Sequence, residues 1–158
     1  MENETYLTFQ LGDDYFAVNV KNVLEVLEKQ PITFVPKAPA HILGITNFRG
    51  QILPVVDTRF KFGLPGYDKH TKNSVIVYEI KGEKEVTTIA ATADAVKDVI
   101  EISPEEIKPV PELGISYDSK FIAGAIRRDD VFILVLEIEK ILATSGLSEK
   151  MIQNELIS

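Results

Sequence analysis

Cysteine is absent from this chain of 158 residues. Its absence excludes a disulfide bond, a thiolate nucleophile and a metal site with cysteine ligands. A chain without cysteine also agrees with the reducing environment of the cytoplasm. We therefore expect a cytoplasmic protein whose function does not depend on thiol chemistry.

Long apolar segments are missing as well. The longest wholly apolar run is Val131–Leu136, far shorter than the roughly 18 residues that a membrane span needs. The opening residues, MENETYLTF, carry neither the basic region nor the apolar run of a signal peptide. Because 45% of the residues are apolar, the composition is that of a globular protein. We expect a soluble chain that does not insert into a membrane.

Positive charge is in short supply. The chain has 17 Lys and Arg residues against 24 Asp and Glu residues, a formal net charge of −7. The densest basic pair, Arg127-Arg128, is followed at once by Asp129-Asp130. Binding to phosphate groups needs clustered cations, so nucleic acid is not an expected partner.

Residues typical of catalysis are few. The only histidines are His41 and His70, and both fall in predicted loops. No nucleophile elbow, phosphate-binding glycine loop or zinc-protease motif is present. The paired acids Asp13-Asp14 and Asp129-Asp130 lie at predicted turns, where adjacent carboxylates usually keep a surface soluble. The sequence therefore predicts no enzyme, no metal site and no cofactor.

What is present is a β pattern. Polar and apolar residues alternate over Tyr6–Leu11, and many further short strands are separated by turns containing glycine. This pattern favours a barrel or sandwich. Ser103-Pro104-Glu105-Glu106 predicts a capping box on about one helical turn. A second helix is expected near Glu137, and residues 147–157 have the spacing of a packed or frayed terminal helix.

The segment Gly44–Arg59, GITNFRGQILPVVDTR, is the most informative in the chain. Asn47-Phe48-Arg49-Gly50 predicts a turn, with Asn and Gly accepting unusual backbone angles. Gln51–Val56 predicts a buried strand, which Pro54 should restrict to a sheet edge or a bulge. Asp57 is placed to cap a short helix over residues 58–62.

The chain also repeats itself weakly. Val23-x-Glu25-Val26 matches Val96-x-Asp98-Val99 at an offset of 73 residues, and Gly44 matches Gly124 at an offset of 80. Val35-Pro36 likewise matches Val110-Pro111, and Asp57 matches Glu137. We interpret this as two related β units of about 70 residues packed around one seam.

The two units differ at one hairpin tip. Asn47-Phe48-Arg49-Gly50 in the first corresponds to Arg127-Arg128-Asp129-Asp130 in the second. A contact surface would use both Phe48 and Arg49, the phenylalanine for buried area and the arginine for directional hydrogen bonds. We therefore interpret the first tip as a docking surface rather than a purely structural turn.

The pattern Gly44, Asn47-Phe48-Arg49-Gly50, Leu53-Pro54-Val55-Val56-Asp57 and Arg59 resembles the signature of the CheW family of bacterial chemotaxis coupling proteins. Further similarity extends over residues 6–142 in the family's order. The segments that carry it are 7–26, 94–102, 107–112 and 121–142.

The resemblance implies an all-β fold with short helices. It would comprise two pseudo-symmetric five-stranded SH3-like β-barrels packed together, plus a C-terminal helix. We expect a coupling domain over residues 1–145, with approximate halves 1–66 and 67–145, and a helical tail over residues 146–158.

The resemblance also implies a non-enzymatic adaptor, associated with membrane receptor arrays through protein contacts. It would link the cytoplasmic tips of methyl-accepting chemoreceptors to the C-terminal regulatory domain of the chemotaxis histidine kinase, and transmit receptor control to the kinase. The kinase would bind barrel to barrel through an apolar patch that the sequence does not identify. The receptor-binding residues implied in this way are Val23, Glu25, Gly44, Asn47 and Arg49.

Two alternatives stay open. The chain could couple receptors in an array whose output is not flagellar, which its sequence does not distinguish. It could instead be a small β-barrel that binds a ligand or acts as an enzyme through Asp57, Arg49 and His41. That second alternative requires the three side chains to converge in one pocket.

Overall fold

A computed structural model describes residues 2–63, 73–82, 84–110 and 121–143. Within these residues the chain forms ten strands and two short α-helices, with 3-10 turns at Val20–Asn22 and Pro104–Glu106. The strands are β1 (Glu4–Leu11), β2 (Asp14–Asn19), β3 (Val23–Gln30), β4 (Ile42–Phe48), β5 (Gln51–Val56), β6 (Asn73–Lys81), β7 (Val86–Ala93), β8 (Ala95–Ile102), β9 (Ile122–Arg128) and β10 (Val131–Leu136). The helices are α1 (Thr58–Lys61) and α2 (Ile138–Ala143).

The strands form two five-stranded sheets that take strands from both halves of the chain. The first barrel has the strand order β3-β6-β7-β5-β4, and the second has the order β8-β1-β2-β10-β9. The two orders become identical when each strand is replaced by the one five strands later in the chain, counting on from β10 to β1. Each sheet therefore contains the first hairpin of the other half of the chain: β6 and β7 in the first barrel, and β1 and β2 in the second. The predicted boundary between residues 66 and 67 separates the sequence repeats but not the sheets.

Each sheet closes on itself through one backbone bridge. In the first barrel, the N–H of Thr33 donates to the carbonyl of Ile45 at 2.8 Å and the N–H of Ile45 donates back at 2.9 Å. In the second barrel, Lys108 and Ala125 exchange the same two bonds at 2.9 and 2.8 Å. These bridges join the segments after β3 and β8 to β4 and β9. The predicted class, two SH3-like barrels in an all-β chain with short helices, is confirmed.

A glycine sits beside each closing bridge because a side chain there would collide with the backbone. A Cβ atom built on Gly44 would lie 2.2 Å from the carbonyl oxygen of Thr33. One built on Gly124 would lie 2.5 Å from a side-chain carbon of Ile107 and 2.6 Å from the carbonyl oxygen of Lys108. The repeat detected in the sequence therefore marks equivalent closure points.

Among the described residues, three apolar cores hold the molecule together. Each barrel has its own interior, built in the first around Leu53 and Val55 and in the second around Ile126 and Val135. The largest core lies between the sheets and includes residues of both. In it Phe16 stacks on Phe9 at 5.6 Å and on Phe62 at 5.2 Å between ring centroids. Because this core is shared, the barrels cannot separate without exposing it.

The local signals for helix starts are confirmed. The Asp57 side chain accepts a hydrogen bond of 3.0 Å from the Phe60 N–H and begins α1. The Ser103 N–H donates to Glu106 Oε1 at 3.1 Å across the single 3-10 turn that follows. Helix α2 begins immediately after Glu137. The predicted tail helix lies outside the described residues.

The expectation for Pro54 was wrong. Strand β5 lies between β4 and β7 rather than at an edge, and the register shift in its pairing with β4 falls between Ile42 and Gly44. Pro54 is accommodated because the pairing of β5 with β7 begins only at Val55. Its missing N–H therefore falls before that ladder.

Along the described residues, no helix has the length and apolar character that crossing a bilayer requires.

Gly44→Ala should destabilise the protein by about 3 kcal/mol, since the added methyl meets a backbone oxygen that is fixed by the closing bridge. Urea denaturation measures the change. Gly82→Ala is the control, because a Cβ there would approach only the Glu85 oxygen, at 3.3 Å. Equal stabilities for the two variants would contradict the closure role of Gly44.

Candidate docking surface

The β4–β5 hairpin tip holds an arginine in an unfavourable backbone conformation. Arg49 has φ of +52° and Gly50 has φ of +79°, and the Asn47 side chain accepts a hydrogen bond of 3.2 Å from the Gly50 N–H. The turn was predicted, but the strained residue is Arg49 rather than Asn47. A left-handed conformation costs a residue with a side chain about 1–2 kcal/mol.

The Arg49 side chain is exposed and oriented by two neighbours. Its Nη2 lies 3.1 Å from Glu25 Oε2, and its guanidinium carbon lies 4.7 Å from the centre of the Phe48 ring. The two charged side chains are 70% and 40% exposed. Ion pairs this exposed contribute about 0–1 kcal/mol to stability, so the pair does not account for placing an arginine here.

Phe48 does not belong to the surface. Only 7% of it is exposed, and it packs in the interior of the first barrel with Leu53 and Val55. The expectation that Phe48 would supply contact area to a partner was therefore wrong. Successive residues of a strand point to opposite faces. Because Phe48 is the last residue of β4, the face on which its side chain lies depends on where the turn begins.

Glu25, Asn47 and Arg49 come together at one end of the first barrel. Strand β3 brings Glu25 to the tip, and the Gln30 side chain, at the end of β3, donates to the Asn47 carbonyl at 3.1 Å. The same Gln30 amide donates to Thr46 Oγ1 at 2.9 Å. Three of the five predicted receptor-binding residues thus form one exposed cluster, which we call the Arg49 cluster.

Val23 and Gly44 lie apart from this exposed cluster. Val23 is half-buried and packs against the shared core, as do Val26 of β3 and Val96 of β8. Gly44 is buried, and the close approach that it permits is made by the chain's own Thr33. Sequence reasoning missed Val26 and Val96 as seam residues, although both belong to the repeated motif of β3 and β8.

The second hairpin tip has the same backbone and different chemistry. Asp129 and Asp130 both have positive φ, +49° and +63°. Arg128 reaches away from the tip to Glu106, with Nη2 and Oε2 separated by 2.9 Å. The Ser103 N–H and the Arg128 guanidinium hold the pKa of the Glu106 carboxyl below its usual range. Glu106 thus remains charged as a partner for Arg128.

The three side chains of the enzyme alternative do not converge. Asp57 caps α1, and its N–H donates to the His41 carbonyl at 2.8 Å. Arg49 lies at the opposite end of β5, a strand of six residues that spans about 20 Å. Arg59, two residues after Asp57, forms an ion pair with Asp94. Nor do the described ranges contain a group of three or more His, Cys, Asp or Glu residues that could hold a metal ion.

Fold and surface together define a double-barrel protein with an exposed, polar hairpin tip as its candidate docking surface. The model of the CheW-like domain matches residues 5–146, which is most of the chain. The chain therefore belongs to the CheW-like domain family.

Curated relatives and a solved structure agree with this assignment. The chain is 29% identical to the probable chemotaxis protein CheW of Rhizobium etli, covering 87% of this chain and 86% of that protein. It is 29% identical to the chemotaxis protein CheW of Thermotoga maritima, covering 90% of each chain. The crystal structure of the scaffolding protein TtCheW from Thermoanaerobacter tengcongensis superposes with a TM-score of 0.73 at 29% identity, covering 89% of this chain and 88% of that chain.

Phe48→Ala should lower the free energy of unfolding by about 3–5 kcal/mol, because it empties a site inside the first barrel. Ile52→Ala is the matched control on the same hairpin, since Ile52 is 59% exposed and should change stability by less than about 0.5 kcal/mol. Chemical denaturation of both variants makes the comparison. If Phe48→Ala left the free energy of unfolding unchanged, Phe48 would not be buried in the first barrel.

Proposed function

We propose that this protein is a non-enzymatic adaptor that links the cytoplasmic tips of methyl-accepting chemoreceptors to the regulatory domain of the chemotaxis histidine kinase. The observation that carries the proposal is Arg49, held at φ +52° on an exposed tip. A two-residue hairpin turn needs positive φ at this position, and the chain fills it with an arginine, whose side chain disfavours that conformation, while the exposed pair with Glu25 returns little stability. The names of the matched relatives, chemotaxis and scaffolding proteins, support the same role.

The receptor contact uses the Arg49 cluster and the adjoining seam. Arg49 and Glu25 offer a charge of each sign to a helical hairpin, which fixes its orientation. Val23, Val26 and Val96 are only partly buried against the shared core, so they leave apolar area at the seam, and Val23 and Val26 lie on the same strand as Glu25. Gly44 contributes through barrel closure, which positions β3 against the tip.

The kinase contact uses an apolar groove on the second barrel. The groove has a volume of about 590 Å³, and Phe132 in its wall is 65% exposed. Its other apolar lining residues are Pro109, Val110, Ala125, Ile126 and Leu134. An exposed aromatic residue in an apolar groove is typical of a protein interface. The family resemblance implies that a barrel of the kinase's regulatory domain binds an apolar patch, and we assign that patch to this groove.

Control of the kinase then operates through differential binding. An adaptor shifts a kinase between active and inactive arrangements only if it binds the two unequally. With separate surfaces for receptor and kinase on two barrels that share one core, the double barrel transmits a displacement at one surface to the other. The protein works in the cytoplasm and is held at membrane receptor arrays by these contacts.

A second candidate function is the same coupling in an array with a non-flagellar output. The chain is 28% identical to protein FrzA of Myxococcus xanthus, covering 90% of this chain and 87% of that protein. The chain is thus about as similar to a relative named FrzA as to relatives named CheW. The two candidates share the same contacts and differ in the output of the array.

Titration calorimetry tests the adaptor proposal. The folded protein is titrated with the isolated regulatory domain of the histidine kinase, then with a receptor-tip fragment, and finally with both. Saturable binding to each, with Phe132→Asp weakening only the kinase-domain titration, is the expected result. Absence of binding to both partners would overturn the proposal.

Arg49→Gly separates function from stability. Removing the strained side chain should leave the free energy of unfolding unchanged or raise it by up to about 1 kcal/mol, while weakening receptor binding by about 1–3 kcal/mol. Asp129→Gly, at the equivalent position of the second tip, should give the same change in stability and no change in receptor binding. Calorimetry and thermal denaturation give the two readouts; equal receptor affinity for both variants would remove Arg49 from the contact.

A further inference from the structure

The two barrels differ in how their mouths are filled at the hairpin tip. In the first barrel Phe48 points inward and only 7% of it is exposed. The equivalent residue of the second barrel, 80 positions later, is Arg128. It reaches outward instead, donating to Glu106 Oε2 at 2.9 Å and to the Glu101 carbonyl at 2.8 Å. The second barrel therefore has no aromatic side chain at the position that Phe48 occupies in the first.

An open cavity of about 380 Å³ lies at that position. We call it the second-barrel mouth. Its inner wall consists of Thr8, Tyr15, Ile100 and Ile133. Their counterparts include Val77, Leu27 and Leu53, which pack with Phe48 in the closed first barrel. The comparison within one chain indicates that the mouth has the shape and walls to receive an aromatic ring.

The charged residues at the rim of the mouth indicate which charge a bound segment should carry beside its aromatic ring. Asp98 corresponds to Glu25, the residue that pairs with Arg49 in the first barrel. The residue equivalent to Arg49 is Asp129, so the chain places a second carboxylate where the first barrel has its guanidinium. Both aspartates line the mouth, and the Asp98 carboxylate has no ion pair among the described residues. Lys97 also lines the rim, whereas the Arg128 charge is matched by Glu106.

We propose that the second-barrel mouth is a docking site for a partner protein segment that carries an aromatic residue beside an arginine. The ring enters between Tyr15 and Ile133, and the guanidinium pairs with Asp98 and Asp129. The segment thereby completes the second barrel as Phe48 and Arg49 complete the first. A second copy of this chain does not supply such a segment from its first tip, because Phe48 is buried there.

The site is distinct from the proposed receptor and kinase surfaces. Phe132 faces the apolar groove, whereas its strand neighbours Val131 and Ile133 line the mouth. The Arg49 cluster belongs to the other barrel. Binding at the mouth thus stands or falls independently of the proposed adaptor contacts.

Amide chemical shifts of the labelled full chain, titrated with the acetylated and amidated peptide Gly-Phe-Arg-Gly, test the proposal. Shifts should concentrate at Thr8, Tyr15, Ile100 and Ile133. The peptides Gly-Ala-Arg-Gly and Gly-Phe-Glu-Gly should bind at least about fivefold more weakly, since each lacks one of the two anchors. An equal response to all three peptides, or no shifts at the mouth, would overturn the proposal.

Two variants make the test specific. Arg128→Phe should fill the mouth from within, raise the melting temperature and reduce peptide affinity at least about tenfold. Arg127→Phe, one residue earlier and lining the other groove, is the matched control and should bind the peptide normally. Asp98→Asn keeps the fold and should weaken Gly-Phe-Arg-Gly but not Gly-Phe-Glu-Gly, so the test survives an unstable Arg128→Phe. Shifts at the mouth that depend on protein concentration without peptide would assign it to self-association and overturn the heterotypic site.

Discussion

The backbone bridges that close the two barrels are the constraint on which the rest of the molecule depends. Thr33 and Ile45 can exchange hydrogen bonds at 2.8 and 2.9 Å only because Gly44 has no side chain. Once this bridge forms, the end of β3 lies against the β4–β5 hairpin and Glu25 comes within 3.1 Å of Arg49. The geometry of the exposed tip is therefore set by a backbone contact made beside the buried Gly44.

Duplication with exchange explains how one fold carries surfaces of different chemistry. Both halves keep the closing bridge, the short helix after the last strand and the two-residue turn, because each is needed to shape a barrel. The side chains on those turns are free to differ, since loops tolerate change that packed strands do not. Where the first half has Phe48 and Arg49, the second has Arg128 and Asp129, so that one barrel is filled by its own chain and the other has an open cavity at the matching position.

Sequence reasoning succeeded where a local rule determines the structure. Asp57 at a helix start obeys a short-range hydrogen-bond pattern that needs no knowledge of the rest of the chain. It failed where the outcome depends on neighbours: Pro54 is tolerated inside a sheet because β7 pairs only beyond it, and Phe48 is buried because of the hairpin's register. The exposed cluster was largely predictable from family resemblance, whereas the open mouth beside Arg128 emerges only when the two folded halves are compared.

The exchange of hairpins between the two halves also determines the order in which the barrels can form as the chain emerges from the ribosome. Strands β3–β7 are complete by residue 93 and can close the first barrel at once. The β1–β2 hairpin is made before them, yet its sheet partners β8 and β10 are made last; Thr8 bonds to Asp98 across 90 residues. During synthesis the earliest strands must therefore wait with unpaired edges, a state open to aggregation and to pairing with other chains. The β1–β2 hairpin, which is synthesised first, is thus among the last parts of the chain to be covered by neighbouring strands.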